Sequence, residues 1–149
     1  MARLVARKAF TSKKGDLPMV IALNTRTILS IFRDAIQLKY NNAGWGDEEV
    51  VQLVEVLPLC KSATELYLEG NTISDRGARA LAAAFVKGAM PSLQVLALGK
   101  NLIGDDGVVA LAEAITTKGV LPQLKHIALH TNCISETGMN AYEVAMTKR

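Results

Sequence analysis

His126 and His130 are the two histidines of the chain, and a pair of imidazoles four residues apart invites a metal-site reading. Along an extended strand, however, four residues span about 13 Å, whereas zinc–nitrogen bonds are about 2.0–2.1 Å long, so one ion cannot take both. Cys60 and Cys133, the two cysteines, have neither metal-ligand spacing nor the density of a secreted disulfide scaffold. Two free thiols in a reducing compartment are expected, with Cys133 partly buried. No Gly-x-Ser-x-Gly, Walker loop, His-Glu-x-x-His or paired-glycine dinucleotide turn occurs. Catalysis, a metal and a cofactor are therefore unsupported, and attention moves to residues that recognise rather than react.

The elements that would position such residues recur. Leu66-x-Leu68-x-x-Asn71-x-Ile73, Leu96-x-Leu98-x-x-Asn101-x-Ile103 and Ile127-x-Leu129-x-x-Asn132-x-Ile134 repeat at intervals of 30 and 31 residues, and Ile36-x-Leu38-x-x-Asn41 reads as a weaker first copy. Asp75, Asp105 and Glu136 each stand four residues after the asparagine, and Gly77, Gly107 and Gly138 six after it. In the Leu-x-Leu segment the period of two sends both leucines to one side, which makes a short strand with one buried face. The asparagine amide can satisfy backbone groups freed where the chain turns away. This predicts Asn41, Asn71, Asn101 and Asn132 buried in a ladder.

Ser74 or Ser135, with an acid beside it, supplies a helix N-cap. Apolar residues follow at helical spacing: Ala78, Leu81 and Phe85, then Val108, Leu111 and Ile115, then Met139, Tyr142 and Met146. The glycine in each first turn costs about 0.8–1 kcal/mol of helix propensity, so its recurrence implies a close approach of the helix to the strand layer. Lys87-Gly88 with Pro91 and Lys118-Gly119 with Pro122 end one helix and start the next strand; the first helix runs from Asp47 to Leu57 and stops at Pro58. Four strands centred on residues 36–38, 66–68, 96–98 and 127–129, all parallel and each followed by a helix, are predicted.

These residues resemble the leucine-rich repeats of the ribonuclease-inhibitor-like subclass, over about residues 34–149. The resemblance implies an α/β solenoid, a horseshoe arc with parallel strands on the concave face, helices on the convex face and a function in protein–protein contact. The outward strand positions are then Ala35, Gln37, Lys39 and Tyr40; Glu65, Tyr67 and Glu69; Val95, Ala97, Gly99 and Lys100; and His126, Ala128, His130 and Thr131. Of these, Gln37, Lys39, Tyr40, Glu65, Tyr67, Glu69, Val95, Lys100, His126 and His130 are the candidate partner-binding residues. This register sets Tyr67 between Gln37 and Ala97 and Lys39 beside Glu69, with a shallow hollow at Ala97, Gly99 and Ala128. Trp45, in Gly44-Trp45-Gly46, lies where the first copy reads as two residues longer than the others. It is either a wedge packed on the N-terminal segment or an exposed anchor for a partner.

Residues 1–33 lack the repeat. Residues 15–33 read as an N-terminal cap with a helix after Asp16, and residues 1–14 as a basic arm: Arg3, Arg7, Lys8, Lys13 and Lys14 face no acid there. Of the net charge of +3, the rest of the chain carries twelve basic against fourteen acidic residues, or −2, so nucleic acid is not the expected partner of the body. The arm is a solvated tail, a contact to an acidic partner, or a mitochondrial or plastid transit peptide. Otherwise a cytoplasmic protein is expected, because no secretory h-region is present and no apolar run reaches the roughly 18–20 residues a membrane span needs. The partner is expected to be a protein. At the other end, Ile127, Leu129, Ile134 and Met139 are expected to form a partly open edge, closed by the last helix, by association or by a longer array.

Overall fold

The computed structural model describes residues 9–10 and 32–148. Five parallel strands form one sheet in sequence order: β1 (Ala9–Phe10), β2 (Gln37–Lys39), β3 (Glu65–Tyr67), β4 (Val95–Ala97) and β5 (His126–Ala128). Four helices follow β2 to β5 in turn: α1 (Asp47–Val56), α2 (Asp75–Val86), α3 (Asp105–Thr116) and α4 (Glu136–Thr147). A 3-10 turn at Leu57–Leu59, with Pro58 inside it, ends the first unit. Parallel neighbours need a crossover, and α1, α2 and α3 supply it between β2 and β5. The predicted parallel order is correct, and β1 adds a strand inside the segment read as a basic arm. The helix placed after Asp16 lies outside the described residues, apart from a helical turn at residues 32–34.

The core lies between sheet and helices. Leu38, Leu66, Leu96 and Ile127 form one inward row and Tyr40, Leu68, Leu98 and Leu129 the next; Trp45, Ile73 and Ile103 lie beyond them, and all are buried. Val50, Leu53, Ala78, Leu81, Phe85, Val108, Leu111 and Ile115 meet them from the helices. Truncating one of these leucines or isoleucines to alanine costs about 2–5 kcal/mol.

This registry corrects the reading of the first copy. Leu38 pairs with Leu66, not with Leu68, so the first repeat is offset by 28 residues from the second; Trp45 N and Ile73 N, which donate alike to Asn71 Oδ1 and Asn101 Oδ1, show the same offset. Asn42 holds the left-handed conformation that Gly70, Lys100 and Thr131 hold later. Tyr40 therefore stands in the leucine row, Ala43 in the asparagine position and Trp45 in the isoleucine position, with no insertion. Asn41 is exposed, not buried as predicted, because the turn position it was given belongs to Ala43.

The ladder itself is real from the second repeat onward. Asn101 Nδ2 donates to Leu68 O, Leu98 O and Gly99 O at 3.0, 3.0 and 3.2 Å, and its Oδ1 accepts from Ile73 N at 3.1 Å. Asn71 serves the Trp45 N–H and Asn132 the Ile103 N–H in the same way. Asn71 and Asn101 are buried and Asn132 half-buried.

A second ladder runs along the helix starts. Asp47 accepts from Ser74 N and Gly77 N, Asp75 from Gly104 N and Gly107 N, and Asp105 from Ser135 N and Ser135 Oγ. Each carboxylate thus satisfies orphan donors at the next helix's N-terminus, where negative charge is favoured. The glycines recur for this reason. A Cβ on Gly77 would stand 2.6 Å from Asp47 Oδ1 and from Ile73 Cγ2, so the close approach is to the preceding carboxylate as well as to the strand-to-helix loop. The first helix has Glu49 in the glycine position, and its carboxylate turns back to the Gly46 N–H at 2.8 Å.

Candidate functional site

The sheet's outward face is built in rows that cross the strands. The first is Gln37, Glu65, Val95 and His126, and the second is Lys39, Tyr67, Ala97 and Ala128. Backbone pairing continues past the strands, through Asn42 N to Glu69 O, Gly70 N to Gly99 O and Lys100 N to His130 O. Asn41, Glu69, Gly99 and His130 thereby form a third row. Tyr67 accordingly has Lys39 and Ala97 as lateral neighbours, and Gln37 faces Glu65, one row from where the sequence reading had placed it.

Two clusters result. Gln37 Nε2 and the Tyr67 hydroxyl, the latter at 2.8 Å, both donate to Glu65 Oε2, and the Lys39 ammonium stands 5.7 Å from the centre of the Tyr67 ring. The bond to Glu65, with lesser help from burial, raises the Tyr67 phenol above its ordinary pKa. In the second cluster Lys100 Nζ and His130 Nε2 approach Glu69 Oε1 at 3.1 and 3.5 Å. The hydrogen bond from Lys100 is the main cause that holds the Glu69 carboxyl below its ordinary range.

The hollow expected near Tyr67 is partly filled. Ala97 and Gly99 are buried, and the His130 imidazole occupies the space into which a Gly99 Cβ would project. Val95 is half-buried, while His126 and Lys100 are exposed. Ala35 is buried.

Two candidate residues leave the surface altogether. Tyr40 and Trp45 are buried, with their rings stacked at 4.2 Å between centroids and 24° between planes. They occupy inward positions because of the 28-residue offset, so Trp45 is a core residue and not an exposed anchor. Burial also pushes the Tyr40 hydroxyl pKa upward. Asn41 takes the vacated place on the concave face, where its Oδ1 accepts from the Glu69 N–H at 3.1 Å. Sequence reading missed it, although the spacing from Asp47 to Asp75 carried the signal.

The reactive groups are elsewhere. Cys60 is buried against the core, its thiol near Val56 O and its pKa pushed up to about 12 by that burial, so it stays protonated at neutral pH. Cys133 is exposed, contrary to the expected partial burial, because its position, like those of Thr72 and Leu102, points outward. Among the described residues no three or more His, Cys, Asp or Glu side chains are grouped to hold a metal, and no helix is long and apolar enough to cross a membrane. What the concave face offers is a shelf of fixed polar side chains, suited to contact.

The class this fold defines is the leucine-rich-repeat solenoid. Residues 63–82 and 89–112 match the Leucine Rich repeat family. Among the 42 solved chains that match is the leiomodin-1 Actin-Binding Site 2. It superposes with a TM-score of 0.65 at 19% sequence identity, over 89% of this chain and 71% of that one, a likeness of fold. No curated protein matches the sequence.

Proposed function

We propose that this chain is a non-catalytic protein-binding module whose concave face docks a protein partner. The observation that carries the reading is the fixing of Tyr67 and Glu69 in place before any partner arrives: Glu65 and Lys39 hold the first, Lys100 and His130 the second. Side chains already ordered lose less freedom on binding, and tyrosine is among the residues enriched in binding hot spots. Repeats of 28–31 residues with helices of 10–12 residues support placing the chain with the ribonuclease-inhibitor-like subclass. Regulation of an enzyme partner is the same binding with a consequence, and an activity assay on the partner distinguishes the two.

The structurally similar leiomodin-1 segment is an actin-binding site of that protein, which makes monomeric actin a sensible first probe. Cross-linking mass spectrometry with wild-type protein and with Tyr67→Ala/Glu69→Ala is the test. Cross-links that lie on Lys39 and Lys100 and vanish in the variant support the concave face. Cross-links confined to the helices, and unchanged in the variant, overturn it.

A further inference from the structure

The edge of the solenoid where helices end and strands begin carries a row of cations. Arg33, Lys61, Lys87, Lys118, Lys125 and Lys148 are all exposed there. Their neighbourhood follows from contacts across repeats. The Ser92 hydroxyl donates to Lys61 O at 2.8 Å, Lys125 Nζ donates to Gln94 Oε1 at 3.0 Å, Arg33 and Lys61 border one recess with Pro58 and Leu59, and Lys118 and Lys148 border another.

None of the six forms an ion pair with a described acid, Asp34, Glu55, Glu113 and Glu143 included. The described ion pairs of arginine and lysine are Arg76 with Glu48, Arg79 with Asp106 and Lys100 with Glu69, on the opposite edge or the concave face. Residues 1–31 hold a single acid, Asp16. The acids cluster instead at the helix starts, where Asp47, Asp75 and Asp105 are engaged with the next unit. Lys87 and Lys148 cap α2 and α4, where a cation offsets the helix dipole. Lys61 and Lys125 stand in the segments leading into β3 and β5, away from any α-helix end, so the dipole does not account for the row.

We propose that this rim is a second docking surface and takes an extended, acidic protein segment. Neighbouring helices pack about 8–10 Å apart, so Lys61, Lys87, Lys118 and Lys148 are spaced by about that distance along the row. A chain extended as polyproline II returns to the same face every three residues, a rise of about 9 Å, so a carboxylate at every third position meets successive lysines. Leu59 and Val86, both exposed beside the row, offer apolar contact between the charges. Base stacking on single-stranded nucleic acid needs exposed aromatic rings, and the described rings are buried, half-buried or on the concave face: Phe32, Tyr40, Trp45 and Phe85 are buried, Tyr142 is half-buried and Tyr67 is concave.

The test is fluorescence anisotropy of a labelled oligoglutamate titrated with the full chain at low and at physiological salt. Three proteins are compared: wild type, Lys87→Glu/Lys118→Glu, and a control with the same charge change elsewhere, Arg76→Glu/Arg79→Glu. Circular dichroism checks that each is folded, and Lys87→Gln/Lys118→Gln, set against Arg76→Gln/Arg79→Gln, replaces the pair if either is not. The rim variant is expected to bind at least about tenfold more weakly, a change of about 1.4 kcal/mol, and the control within about threefold of wild type. Equal losses in both variants, or no binding by wild type, overturn the proposal. So does tighter binding by wild type to oligo-dT or to phosphatidylserine vesicles than to the oligoglutamate.

Discussion

Gly107 donates its backbone N–H to Asp75 Oδ1 at 2.8 Å, which joins the first turn of α3 to the start of α2. Glycine to alanine at an ordinary helix position gains about 1 kcal/mol. Here a Cβ would stand 2.5 Å from Asp75 Oδ1, 2.8 Å from Ile103 Cγ2 and 3.0 Å from Ala78 Cβ. Gly107→Ala is expected to destabilise the fold by about 1–3 kcal/mol, the range for overpacking. Urea unfolding measures it, and a gain in stability would show that the helix starts are not held by these carboxylates.

The two asparagines Asn101 and Asn41 separate a ladder residue from a look-alike. Asn101→Ala leaves the buried Ile73 N–H without its partner and takes one of two amide donors from each of the Leu68 and Leu98 carbonyls, which keep Asn71 and Asn132. One orphaned buried group costs about 1–3 kcal/mol, so a loss of about 2 kcal/mol is expected. Asn41 is exposed and accepts one bond, from Glu69 N, so Asn41→Ala should cost less than about 1 kcal/mol. Similar values for the two in denaturant titrations would contradict the 28-residue register.

That contrast also shows what could be read from the chain alone. Three copies were legible because leucine, asparagine, acid and glycine recur together, and each type has a separate physical reason to be where it is. The first copy was misplaced because Ile36, Leu38 and Asn41 imitate the short strand motif while Tyr40, Ala43 and Trp45 replace Leu, Asn and Ile at the true positions. A tyrosine and a tryptophan on a core row look like surface anchors when the row is off by two. Asp47 was the better anchor for alignment, since it must reach the next helix start. The pairing of Lys100 and His130 on Glu69 depends on residues one and two repeats away, and no pattern within one repeat contains it.

Glu69 should titrate as a carboxyl held low. Its Lys100 hydrogen bond is the largest cause, with the charges of Lys100 and His130 adding to it. A carboxyl whose folded pKa is depressed contributes stability above its unfolded pKa, and loses that contribution as pH falls through the folded value. Being exposed, the pair contributes little in energy, so the readout is the titration itself. Carboxyl carbon NMR shifts should place Glu69 below the ordinary glutamate range in wild type and closer to it in Lys100→Ala. An identical midpoint in the two proteins would remove Lys100 as the cause.

Cys133 and Cys60 should react very differently. Thiolate is the reactive form, and the buried Cys60 thiol is pushed up to about 12 whereas Cys133 is exposed. Iodoacetamide near pH 8 is expected to label Cys133 alone in the folded protein and both residues in concentrated urea. Peptide mass mapping checks it. Rapid labelling of Cys60 without denaturant would place that loop in solvent.

The final repeat should be the softest part of the described core. Ile103 and Val108 are fully buried between neighbours on both sides, but their counterparts Ile134 and Met139 are only half-buried. The expected open edge is therefore present at these two residues, while Ile127 and Leu129, at 6% and 8% exposure, remain buried. Ile127, Leu129, Ile134, Met139 and Tyr142 line a recess of about 350 Å³ on that edge. The backbone repeats the difference. Ile73 N and Ile103 N each donate to the asparagine of the following unit, Asn101 and Asn132, and no described unit follows Ile134 to provide the equivalent oxygen. An isoleucine truncated in a filled core loses transfer energy and leaves a cavity, about 2–5 kcal/mol in all, whereas at an open edge solvent and neighbours reach the space and the cavity part falls away. Ile103→Ala is thus expected to cost at least about 2 kcal/mol and Ile134→Ala about half as much. Native-state hydrogen exchange should agree, with α4 amides opening at lower free energy than those of α2. Equal costs for the two substitutions, together with equal protection of the two helices, would mean that the edge is covered in solution.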